Sequence, residues 1–165
     1  MNFSSAALLL ALLASLAPPA AFAVETPAAA NKKLVLNFYD ELFKAEAAGT
    51  MKRDLPTIAE KYLKPDYIQH SESFSKQGTG RDGLVRSLQA IASDKPNPNY
   101  TFPTTVSVMA EGDRVMLLTQ RPAPSGKNVY LFNMFRVQDG KLAEHWDVLP
   151  AELTMPPPSG VSPPK

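Results

Sequence analysis

In the stretch GKLAEHWDVLP, residues 140–150, His145 and Asp147 stand one residue apart. The alternation around them reads as a strand, and residues two apart on a strand share a face. An imidazole beside a carboxylate can move a proton, or it can be a buried structural pair with no chemistry. The other histidine, His70, closes the segment DYIQH, a short extended piece before the loop SESFSKQGTG. Removing a proton alpha to a carbonyl needs a base and donors for the enolate oxygen. Asp147 is the expected base, because an apolar pocket raises the proton affinity of a carboxylate. His145, His70 and the amides of Asn133 and Gln69 are the candidate donors. Tyr67 and Tyr39 either point into the same space or fill core. His-x-Asp is also the strand half of a two-histidine, one-carboxylate iron site. No histidine follows Asp147 and only His70 precedes the pair, so neither metal nor cofactor is expected.

The elements that must position these groups change character once along the chain. NKKLVLNFYDELFKAEAAG spaces Val35, Phe38 and Leu42 as one face of a long helix, with Asn31 as N-cap and Gly49 as the stop. DLPTIAEKYL predicts a second helix with Asp54 as cap, Pro56 in its first turn and Pro65 ending it. RDGLVRSLQAIAS predicts a third, running to the turn-rich DKPNPN. From Tyr100 the period becomes two, and four strands follow with connections short enough for antiparallel neighbours. The expected class is α+β, three N-terminal helices packed on one face of a curved antiparallel sheet, with a pocket between the layers.

The last hairpin admits two registers. A two-residue turn at Asp139-Gly140 sets Gln138 opposite Lys141, whereas a Gln138-Asp139 turn with a bulge at Gly140 sets Val137 there and swaps the face. The bulged form clusters polar groups and joins Arg136 to Glu144, so it is the expected one. It places Asn133 opposite His145 and Leu131 opposite Asp147, on a face with Val129, Phe135 and Ala143. Asn133, Gln69, Tyr67, Leu131, Phe135 and Tyr39 are therefore the expected substrate contacts. Trp146 then shares the other face with Tyr130, Phe132 and Met134, large apolar groups that would meet solvent in a monomer. A homodimer is expected.

Residues 1–23 carry the apolar run AALLLALLASLA and the small residues Ala21 and Ala23, the pattern of a cleaved signal peptide; an uncleaved membrane anchor is the rival, but Pro18 and Pro19 cut the run short of a spanning helix, so a periplasmic or secreted protein is expected. The proline-rich residues 150–165 predict a disordered tail. That leaves 24–149 as one domain, held by an ordinary core because the chain has no cysteine. Basic and acidic residues number 17 and 16, which speaks against nucleic acid or an anionic membrane as partner.

In order, NFYDELF, YLKPDYIQH, GTGRDGL and FRVQDGKLAEHWDV resemble the SnoaL-like polyketide cyclase family, within the nuclear transport factor 2-like superfamily, over about residues 31–149. The resemblance implies a cone-shaped α+β barrel, frequent dimers through the sheet, and an Asp at the position of Asp147 acting as general acid/base in a cofactor-free aldol ring closure. In the cyclase the positions matching Asn133 and Leu131 look like a His and a polar amide, so the polar pocket is partly dismantled here. Two readings follow. One is a cyclase, isomerase or dehydratase acting on a small hydrophobic carbonyl compound through Asp147, His145 and His70. The other is a non-catalytic binding domain for a small apolar molecule.

Overall fold

The computed structural model describes residues 25–71, 79–122, 127–148 and 150; the expected signal peptide and nearly all of the tail lie outside them. Helix α1 spans Pro27–Ala48. It begins earlier than Asn31 because Thr26 accepts from the Ala29 N–H and Pro27 sits where no N–H is required. Gly49 closes it at φ 66°, and a side chain there would collide with the Lys95 backbone. Helix α2, Met51–Tyr62, starts at Thr50 rather than at Asp54, which falls in its first turn. Pro56 lies inside this helix and has no N–H for the Lys52 carbonyl; the Gln89 amide donates to that carbonyl instead, at 2.6 Å. Gln89 belongs to α3, Gly80–Ile91, so one side chain both repairs α2 and ties the helices together.

Pro65 does not end α2. The helix stops at Tyr62, and Leu63–Gln69 forms strand β1, the segment expected to be only an extended link. The sheet therefore has five strands, with β2 Thr104–Glu111, β3 Arg114–Pro122, β4 Asn128–Gln138 and β5 Lys141–Val148. Their order is β1-β5-β4-β3-β2; β1 runs parallel to β5 and the other pairs are antiparallel. Pro65 is tolerated because β1 is an edge strand and its register slips between Leu63 and Ile68.

The sheet's inner face packs against the helices through Val115, Leu117, Phe135, Val137 and Leu142, which meet Val35, Phe38, Leu55 and Ile58. Phe38 touches Phe135 edge-on at 6.3 Å between ring centres, which pins α1 over the middle of the sheet.

The β4–β5 hairpin combines features of both expected registers. Gln138 does pair with Lys141, across Asp139 and Gly140 at φ 53° and 71°, the two-residue turn that had been set aside. The register then shifts one step in: Val137 pairs with Leu142 but Arg136 with Glu144, leaving Ala143 as the extra residue. Leu142 and Ala143 are consequently both buried. This bulge restores the expected face, but with different partners, Asp147 opposite Asn133 and His145 opposite Phe135.

Candidate functional site

Four elements bring the site together. From β1 come Tyr67 and Gln69, with Ser71 two residues past its end; from β4 come Leu131, Asn133 and Phe135; β5 contributes His145 and Asp147, and α1 contributes Tyr39. Gln69 aligns with His145 across the parallel β1–β5 ladder.

His145 is buried and stacked on Phe135, with ring centres 4.1 Å apart and planes 8° from parallel. Its Nδ1 lies 2.9 Å from Gln69 Oε1 and its Nε2 lies 3.1 Å from Asn133 Oδ1. Tyr67 donates to the same Gln69 oxygen at 3.0 Å, and Tyr39 to the same Asn133 oxygen at 2.8 Å. The result is a continuous chain, Tyr39, Asn133, His145, Gln69, Tyr67. Burial depresses the imidazole pKa from 6.5 to about 3, with a smaller contribution from His70, so His145 is neutral at physiological pH. It is a poor base in this setting.

Asp147 stands beside this chain. Its Oδ1 is buried with no hydrogen-bond partner, and burial raises the carboxyl pKa above the ordinary value. The Ser71 hydroxyl and the residue's own backbone partly oppose that rise. Both tyrosines are held protonated, Tyr39 by burial and the charge of Asp147, Tyr67 by burial and then by Tyr39 and Asp147.

His70 is the expected site residue that the structure removes. It follows the last residue of β1, and its backbone N–H donates to the His145 carbonyl at 3.0 Å, so the chain stays extended and the Gln69 and His70 side chains point to opposite faces. Its Nε2 meets Glu144 at 2.8 Å on the outer side, and its ring stacks on Trp146 at 4.8 Å. Arg136 holds the other Glu144 oxygen at 2.8 Å, and together the two partners lower that carboxyl's pKa. The expected Arg136–Glu144 pair is thus present, and His70 belongs to it. With the histidines on opposite faces of the sheet, they do not complete a two-histidine, one-carboxylate triad. Leu131, opposite Thr119, is partly buried on the inner face, while Phe135 is core as well as support for the imidazole.

Ser71, a buried polar residue beside these groups, escaped the sequence reading. The alternation Tyr67, Gln69, Ser71 was available as a signal, but only to a reader who took DYIQHS as a strand.

The family model described as SnoaL-like polyketide cyclase matches residues 33–151. Comparison with curated proteins gives no match. Among solved structures, an NTF2-like protein of unknown function from Mesorhizobium loti is similar with a TM-score of 0.52 at 20% identity, covering 75% of this chain and 93% of its own. A de novo designed protein with a curved β-sheet is similar with a TM-score of 0.51 at 16% identity, over 76% and 88%. A putative SnoaL-like polyketide cyclase from Jannaschia gives 0.47 at 19%, over 74% and 88%. At these identities the likeness is one of fold.

Proposed function

Because the chain belongs to the SnoaL-like polyketide cyclase family, we propose that it is an exported, cofactor-independent acid/base catalyst acting on a small hydrophobic carbonyl compound. The observation that carries this reading is the bare Oδ1 of Asp147, buried with no hydrogen-bond partner on the strand face opposite Asn133. A buried carboxylate oxygen without a partner costs stability, and such a cost is commonly retained where it serves chemistry.

In the proposed step Oδ1 takes a proton from the carbon alpha to the carbonyl, and the electron pair of that C–H bond moves onto the carbonyl oxygen as an enolate. Donors on the same face stabilise the new charge. The enolate carbon then attacks a second carbonyl of the same molecule in a ring closure, and the proton on Asp147 returns to the resulting alkoxide. If the proton instead returns to another carbon the outcome is isomerisation, and loss of a beta hydroxyl as water gives dehydration.

A second reading is favoured by Leu131, an apolar side chain on the inner face, and by the closed hydrogen-bond chain around His145: a non-catalytic binding domain of the same fold. The two separate in one experiment. Wild type and Asp147→Asn are incubated in a native extract, and the small molecules each retains, with any products, are identified by mass spectrometry. Turnover by wild type with simple retention by Asp147→Asn is the expected result. Equal retention of one unchanged compound by both proteins would favour the binding domain.

A further inference from the structure

The hydrogen-bond chain through His145 has one proton too few. Gln69 and Asn133 each turn an amide oxygen toward a ring nitrogen, and each oxygen also accepts from a tyrosine. Satisfying both oxygens needs two N–H groups, hence an imidazolium. The ring is 8% exposed, lies flat on Phe135, and has no carboxylate in contact with either nitrogen. A charge there would be buried without a counter-ion. A neutral ring has one N–H, so one amide must present its NH2 instead, which changes no heavy-atom position.

The two amides are not equivalent. Asn133 is 5% exposed, and its oxygen gathers the short Tyr39 bond at 2.8 Å as well as the ring contact. Gln69 is only partly buried, so water can meet the far end of its amide whichever way it is turned. An NH2 of Gln69 also has two hydrogens for the two groups that face it, Nδ1 and the Tyr67 oxygen. Once Tyr67 accepts from Gln69, its own proton is free to point elsewhere. Tyr67 lies on the inner face of β1, the strand that pairs with β5, and it is close enough to Asp147 to feel that carboxylate's charge, so the released proton has the carboxylate end of the site within reach.

We propose that His145 is held as the neutral Nε2–H tautomer by a reversed Gln69 amide, and that the Tyr67 hydroxyl is thereby freed to donate to an enolate oxygen formed beside Asp147. The donor role rests on the enolate reading above; the tautomer does not. His145 is then a positioning residue that acts through Gln69, and Tyr67 is the group that touches substrate.

Nitrogen-15 NMR of the imidazole at neutral pH tests the tautomer directly. Nε2 protonated and Nδ1 bare is expected, and Gln69→Glu, which offers only acceptors there, moves a proton onto Nδ1. Finding Nδ1–H, or both nitrogens protonated, in wild type overturns the assignment. The donor is tested with 4-nitrophenolate as a stand-in for the enolate, bound to Asp147→Asn so that no carboxylate repels it. Adding Tyr67→Phe is expected to weaken binding about tenfold, as for loss of a hydrogen bond to a charged oxygen. Adding Tyr39→Phe, which removes the rival donor of the same site, is expected to weaken binding less than Tyr67→Phe, because the Tyr39 hydroxyl stays on Asn133. The reverse order of effects overturns the choice of Tyr67. Absence of phenolate binding, with the tautomer as assigned, overturns the enolate reading and its donor without touching the hydrogen-bond assignment.

Discussion

At the scale of residues, the site is three acids, Asp147, Tyr39 and Tyr67, and one base, His145, whose environments pull against their usual behaviour. His145 gives this a thermodynamic signature. Its folded pKa, about 3, lies below the unfolded value near 6.5, so the unfolded chain binds a proton that the native state refuses. The sign follows: this contribution to stability is full above pH 6.5 and is lost as pH falls toward 3, by about 1.4 kcal/mol per unit. His145→Gln should therefore flatten the decline in stability between pH 6.5 and 4.5, above the range where the salt-bridged Glu41 and Glu144 take up protons. Denaturant unfolding at stepped pH measures it, and an unchanged slope would mean the ring is not buried neutral. Asp147, His145, Asn133 and Tyr39 were legible from the sequence. His70 was misread because DYIQH was taken for an extended link and not for a strand of the sheet, so the opposite directions of Gln69 and His70 went unseen. Ser71 was missed for the same cause, since only a strand reading of residues 63–71 reveals which of them turn inward.

Elements show how much of the site depends on one extra residue. The bulge at Ala143 lies between a two-residue turn and the His145–Asp147 segment, and it alone reconciles that turn with the inward direction of the pair. Removing Ala143 would leave Val137 opposite Leu142 and Arg136 opposite Glu144, so the downstream partners keep their places. Deleting Trp146 instead would turn Asp147 toward the outer face. The Ala143 deletion should therefore cost about 1–3 kcal/mol, from lost twist and packing, and still fold, whereas the Trp146 deletion should not give a cooperative unfolding transition. Thermal melts of both compare them. The helices were legible because their periodicity and Gly49 are local signals. The fifth strand was not, because its partner lies at the other end of the domain and a proline interrupts it. Likewise the bulge follows from polar clustering, while its position depends on backbone twist that a sequence pattern does not carry.

The whole molecule presents a sheet whose outer face is unusually apolar. Ile68, Val106, Met109, Tyr130, Phe132 and Val148 are each 46% exposed or more, around a partly buried Trp146 capped by Arg114. A homodimer through this face remains the expected assembly. Phe132→Asp should convert it to monomer, read by light scattering, with the fold intact by circular dichroism. A wild-type monomer would instead leave the patch to another occupant. Among the described residues no helix is long and apolar enough to cross a membrane.

The pairing of β1 with β5 also sets the order in which the site comes into being. Gln69 and His145 are 76 positions apart, and the β2–β4 meander between them can pair locally long before these edges meet. Contacts that close so long a loop are formed at high entropic cost and tend to come late. A partly folded chain, even one with most of its sheet in place, therefore has Asp147 without Ser71 and His145 without Gln69. Ligand binding at this site should recover on refolding only with the slowest phase, so that it reports on completion of the fold and not on its beginnings.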